Sequence, residues 1–231
     1  MSRRAGLAWL SLAAAVAASG GVNAMDVAGF AGGPFTVNVR SIKEARIATT
    51  VRQRYDFSCG AAAVATLLTY HYRDPVTEQL VFNEMFQRGD QALIRREGFS
   101  LLDMKVFLEA RGYRADGIEA GLDELAAARI PAIALIRENG YAHFVVIKGV
   151  RNGRVLIGDP AVGSKTYPRE DFEQVWMNRI LFLIRDKQEV ARAYFNHRQE
   201  WSAHPTMAPG DVLSRESLAG ITVLRPGPGD F

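Results

Sequence analysis

The chain predicts an α+β domain, with a helical N-terminal half packed on a C-terminal antiparallel sheet. Two observations carry that expectation. Cys59 to Tyr72 is an almost unbroken run of Ala, Val, Leu and Thr, suited to a helix buried on most sides. Beyond residue 130 the pattern changes to short apolar runs separated by Asn139-Gly140 and Asn152-Gly153, the strongest short hairpin signal a sequence carries.

Taken in order, Phe35-Thr36-Val37-Asn38-Val39 alternates as a strand does, and Ile42 to Val51 leads into the first long helix. Asp74-Pro75 reads as an N-cap with proline at the first helical position, opening a second helix to about Arg88. Ser100-Leu101-Leu102-Asp103 forms a capping box, starting a helix that Gly112 ends with a left-handed turn. Gly121 to Arg129 gives one more short helix. Pro131 to Ile136, Ala142 to Val150 and Arg154 to Gly158 read as strands, Pro168 to Trp176 as a helix, and Ile180 to Ile184 as a closing buried strand. Asp186 to Trp201 reads as a charged amphipathic helix, and the Pro, Gly and Ser that recur from Ser202 predict a loose tail.

Residues 1–24 carry a secretory pattern: Arg3 and Arg4, the short apolar stretch Ala5 to Ala18, and small residues at Val22-Asn23-Ala24. Cleavage after Ala24 and a periplasmic or secreted protein are expected, with no stable membrane span afterwards. The apolar run is too short for a comfortable span. The expected organisation is thus a signal peptide at 1–24, a lead-in at 25–50, a catalytic-type domain at 51–185, and a helix with tail at 186–231 available to a partner. The net charge of +3 includes Arg3 and Arg4, and no basic block with interleaved aromatics occurs, so nucleic acid is not an expected partner. No Cys-x-x-Cys, His-Glu-x-x-His, P-loop or dinucleotide fingerprint is found; neither a metal nor a cofactor is expected.

Cys59 is the only cysteine of 231 residues, and exported proteins usually hold theirs in pairs. It follows Gln53-Arg54-Tyr55-Asp56-Phe57-Ser58 and sits in the first turn of the apolar helix, where unpaired amides and the helix dipole lower a thiol's pKa. An inert buried cysteine is the competing reading. Gln53, six positions earlier, can offer a side-chain amide to a developing oxyanion beside the cysteine's own N–H. His143 opens an otherwise apolar strand and can serve as general base, although a satisfied core histidine would look the same. Asp159 ends the next strand, so a hairpin makes it a cross-ladder neighbour of His143, able to hold the imidazole's tautomer. An Asp-Pro turn is the plain alternative.

Gln53 with Cys59-Gly60-Ala61-Ala62, then His143-Phe144-Val145-Val146, then Asp159-Pro160, resembles the C39 peptidase family over roughly Val51 to Ile184. That family is known for the leader-cleaving domains of bacteriocin-exporting transporters. The resemblance implies a papain-like fold, Cys59 as nucleophile, His143 as general base, Asp159 as orienting residue and Gln53 in the oxyanion hole. It further implies a peptide or protein substrate, here in the envelope or secreted. Ser58 stands where transporter-linked members usually carry an acidic residue. Two other readings use the same residues: a non-catalytic peptide-binding or assembly factor, and a transglutaminase-like acyl transferase.

Overall fold

The computed structural model describes residues 24–27, 35–38 and 41–204. Strands β1 (Ala24–Val27) and β2 (Phe35–Asn38) pair antiparallel and form a unit of their own. The signal peptide, and the tail beyond His204, lie outside the described residues.

In the larger unit a short helix α1 (Ile42–Ile47) precedes α2 (Cys59–His71). Every residue of α2 from Cys59 to Leu68 is buried, as the small and apolar side chains at all helical phases require. Helix α3 (Glu78–Arg88) starts later than Asp74-Pro75 predicts. Thr77 is the cap, accepting from the Leu80 N–H at 3.2 Å, because the Asp74 carboxylate is drawn away to Tyr113 Oη (3.1 Å) and Arg111 (3.3 Å). Helix α4 (Gln91–Glu97), capped by Asp90, was not legible in the sequence. The capping box of α5 (Leu101–Ala110) is formed by Ser100 and Asp103 as expected, and Gly112 takes its left-handed turn at φ 80°.

The sheet follows. Strands β3 (Ala115–Glu119), β4 (Ala132–Glu138), β5 (Tyr141–Arg151), β6 (Arg154–Asp159), β7 (Gly163–Pro168) and β8 (Ile180–Ile184), with α6 (Leu122–Ala128) and α7 (Arg169–Val175) between them, give the order β3-β8-β4-β5-β6-β7. All pairings are antiparallel, so the α+β class is as predicted. Strands β3 and β7 were not anticipated: Asp116-Gly117 and Gly163-Ser164-Lys165 are poor strand formers that pairing with β8 and β6 overrides. Helix α2 packs on one face of the sheet against Ile133, Phe144, Val146 and Phe182, while Val145, Ile147 and Ile157 face a second core with Phe172 and Trp176.

The β5–β6 ladder carries a bulge at Lys148, between the pairs Ile147–Ile157 and Gly149–Leu156. Lys148 is fully buried there. Its ammonium donates to the carbonyl and hydroxyl oxygens of Thr49, both at 2.8 Å, and pairs with Glu200. Glu200 belongs to the C-terminal segment, where the single predicted helix is instead two, α8 (Gln188–Arg192) and α9 (Arg198–Ser202). The break is at Asn196, with φ 61°, whose side chain donates to Val150 O at 3.1 Å and whose N–H donates to Lys148 O at 2.9 Å. Trp201 and Ala203 are buried, so the segment holds to the sheet as far as the described residues run.

Candidate active site

Cys59 opens α2 and is 6% exposed. The preceding Ser58 turns its hydroxyl back on Tyr55, accepting from N–H at 3.2 Å and donating to O at 3.0 Å. Ser58 therefore does not cap the first amides of α2 with its side chain. The thiol meets β5 at Phe144, whose N–H acts on it together with the amides of Gly60 and Cys59 itself. Burial nevertheless pushes the thiol above its ordinary pKa, and those amides only reduce the rise. The sequence predicted the opposite direction. Phe99, Met104 and Phe144 close round Gly60, and this apolar wall outweighs the helix terminus.

His143 is buried at the start of β5, and its Nε2 lies 3.2 Å from Asp159 Oδ2 at the end of β6. The other carboxylate oxygen accepts the Ala161 N–H at 2.8 Å. Burial raises the Asp159 pKa, but the His143 contact and the Ala161 amide more than offset this and leave it below the ordinary carboxylate value. An ionised Asp159 takes the Nε2 proton as a hydrogen bond, which leaves the Nδ1 lone pair free. Nδ1 is buried and has no hydrogen-bond partner among the described residues. The Tyr141 ring stacks on the imidazole, centroids 5.8 Å apart, and its hydroxyl donates to Asp56 O at 2.5 Å across the cleft.

Gln53 lies on the loop before Cys59. Its N–H donates to Pro160 O at 3.0 Å, joining the loop to the Asp159 turn. Its side-chain nitrogen donates to Tyr55 O at 3.1 Å and Asp56 O at 3.5 Å, so both amide hydrogens are directed at the loop's own carbonyls. The fold thus gathers Cys59, His143 and Asp159 at one end of β5, with Gln53 tied alongside and its carboxamide turned aside.

A cleft of about 550 Å³ opens over Cys59, lined by Phe57, Phe99, Phe144 and Tyr141 with Arg95 and Arg96. Tyr141 was missed in the sequence, although strand alternation puts it on the face of His143. Glu138 and Lys165 were missed as well. Both Glu138 oxygens accept from Lys165 Nζ, at 2.9 and 2.8 Å. Donor atoms of Glu138, His143 and Asp159 lie within 4.8 Å of one another. The carboxylate oxygens are already engaged by Lys165, His143 and Ala161, which makes the group an ionic network. Among the described residues, no helix is long and apolar enough to cross a membrane.

A helix-borne thiol set against an antiparallel sheet that carries a histidine–aspartate pair is the layout of papain-like cysteine peptidases. The family model described as the Peptidase C39 family matches residues 48–188, and the chain belongs to that family. A relative in Pseudomonas fluorescens, named "Probable functional amyloid protease FapD", is 46% identical over 63% of this chain and 64% of its own length. Its namesake in Pseudomonas aeruginosa is 43% identical over 66% of this chain and 67% of its own length. The chain thus spans about two thirds of these relatives' lengths. Among solved structures, the peptidase domain of Streptococcus ComA superposes with a TM-score of 0.49 at 20% identity, over 59% of this chain and 96% of that one.

Proposed function

We propose that this protein is an exported cysteine endopeptidase that works through a Cys59 acyl-enzyme. The single observation that carries the reading is the buried His143–Asp159 pair, with Nδ1 free, beside the strand position that the Cys59 thiol meets. Substrate entering the cleft brings its carbonyl to the thiol. The Cys59 proton passes to His143 Nδ1, the sulfur bonds to the carbonyl carbon, and the carbonyl oxygen takes the negative charge. The Cys59 N–H and the Gln53 amide receive that charge, with the 3.5 Å bond to Asp56 being the weaker one and the one an oxyanion replaces. The peptide C–N bond then breaks as the amine leaves with the proton from His143. Water, deprotonated by the same imidazole, releases the acid and regenerates the thiol.

The substrate class is an amyloid protein, as the names of the two Pseudomonas relatives suggest. Aromatic walls suit a peptide with apolar side chains, while Arg95 and Arg96 share the rim with Asp56 and Glu97, and Arg96 is paired with Glu97. Residues 1–24 direct export, which N-terminal sequencing of the periplasmic protein checks by a start at Met25.

The decisive experiment incubates the chain and its Cys59→Ala variant with an amyloid subunit precursor and reads products by mass spectrometry. Cleavage by the wild type alone supports the proposal. Equal cleavage by both ends it. Binding without cleavage would favour the assembly-factor reading, and amide exchange with an added amine would favour acyl transfer.

A further inference from the structure

A second carboxylate stands beside the His143–Asp159 pair. Glu138 ends β4, reached across the Asn139-Gly140 turn from Tyr141, and its carboxylate lies within 4.8 Å of a ring nitrogen of His143 and of Asp159. A carboxylate this near the first would repel it, were it not held by a counter-ion. Lys165, from β7, grips both Glu138 oxygens, and its ammonium lies 4.6 Å from the Tyr167 ring centroid. Lys165 and Glu138 are each about one third exposed, so the network is only partly screened by solvent.

We propose that Glu138 is a positioning residue for the reaction: held in place by Lys165, it sets a second carboxylate beside His143 that favours the ring taking the Cys59 proton. In net charge Glu138 and Lys165 cancel, and Asp159 is the formal counter-charge of an imidazolium, so what Glu138 adds is local: its carboxylate lies within 4.8 Å of a His143 ring nitrogen, and the charge of that ring acts on it in turn. The groups against His143 are Asp159 from β6, Glu138 from β4 and Tyr141 from its own strand, while Lys165 and Tyr167 from β7 act on Glu138 and Asp159, and Cys59 from α2 meets the neighbouring Phe144. Of these, Glu138 and Lys165 are the ones whose charge can be removed while the His143–Asp159 contact stays.

The inference rests on the reading of His143 as general base, and Cys59→Ala separately decides whether the chain hydrolyses peptides at all. In the active enzyme, Glu138→Gln should reduce kcat about tenfold with KM little changed, and Glu138→Asp, which keeps the charge, should recover part of the loss. An unchanged kcat in folded Glu138→Gln, a loss confined to KM, or an equal loss in Glu138→Asp overturns the proposal. Should Glu138→Gln not fold, the double variant Glu138→Met with Lys165→Met, which removes both partners together, is read in its place on the same kcat and KM criteria.

Discussion

Replacing Glu200 with Gln should destabilise the protein by an amount that shrinks as pH rises. The variant keeps the side chain's size but leaves the fully buried Lys148 ammonium with only its two Thr49 oxygens. Breaking a buried ion pair from one side typically costs about 3–5 kcal/mol. A second limit comes from the lysine itself, which can escape the penalty by losing its proton. From an unfolded pKa near 10.4, deprotonation at pH 7 costs about 4.6 kcal/mol at 1.36 kcal/mol per unit, so the loss cannot exceed roughly that figure. Burial already holds Lys148 below its ordinary pKa, and Glu200 is the group that opposes the fall. In the variant the folded lysine is neutral while the unfolded one binds a proton. Stability then rises with pH by up to about 1.4 kcal/mol per unit until the unfolded lysine also deprotonates. Urea unfolding of both proteins at pH 7 and pH 9 measures this. A loss under about 1 kcal/mol, or the same loss at both pH values, would refute the reasoning.

Further expectations follow the same logic. His71 is fully buried with neither ring nitrogen bonded, and burial followed by Lys148 holds it well below its ordinary pKa. His71→Leu should therefore be neutral or stabilising by about 1 kcal/mol at pH 7. Below about pH 6.5 only the unfolded wild type gains that proton, so the wild type loses stability as pH falls and the variant is relieved of the loss, readable as a growing difference in Tm. Cys59, with its pKa raised by burial, should react with iodoacetamide at a rate that climbs through and beyond pH 8.5; a plateau already reached at pH 6 would contradict a neutral resting thiol. Gly60→Ala would set a methyl 2.7 Å from Met104 Cε and 3.0 Å from Phe99 Cβ. Overpacking there should destabilise by about 1–3 kcal/mol, despite alanine's better helix propensity, as thermal unfolding would report.

What could be read from the sequence was whatever a local pattern determines. The apolar run of α2 fits one structure only, and the Asn-Gly pairs named both hairpins because Asn139, Gly140, Asn152 and Gly153 all take the positive φ that such turns need. Those two turns bring the ends of β5 and β6 together, where His143 and Asp159 meet at 3.2 Å. Features that depend on partners far along the chain stayed hidden. Strand β7 is made by pairing with β6, and with it went Lys165 and the role of Glu138. Asp74 looked like a cap until Tyr113 and Arg111, nearly forty residues on, drew its carboxylate away. The direction of the thiol's pKa shift has the same origin: the helix terminus is a local feature that lowers it, whereas the burial that raises it is tertiary.

Two short contacts stitch the strip of chain leading to Cys59 onto the turn that bears Asp159: Gln53 N–H to Pro160 O at 3.0 Å, and Arg52 to Ala161 O at 2.7 Å. The first joins main chain to main chain, so exchanging side chains leaves it in place. Deuterium uptake at the Gln53 amide is consequently a gauge of whether the Cys59 loop and the Asp159 turn are joined, usable in variants where no product can be counted.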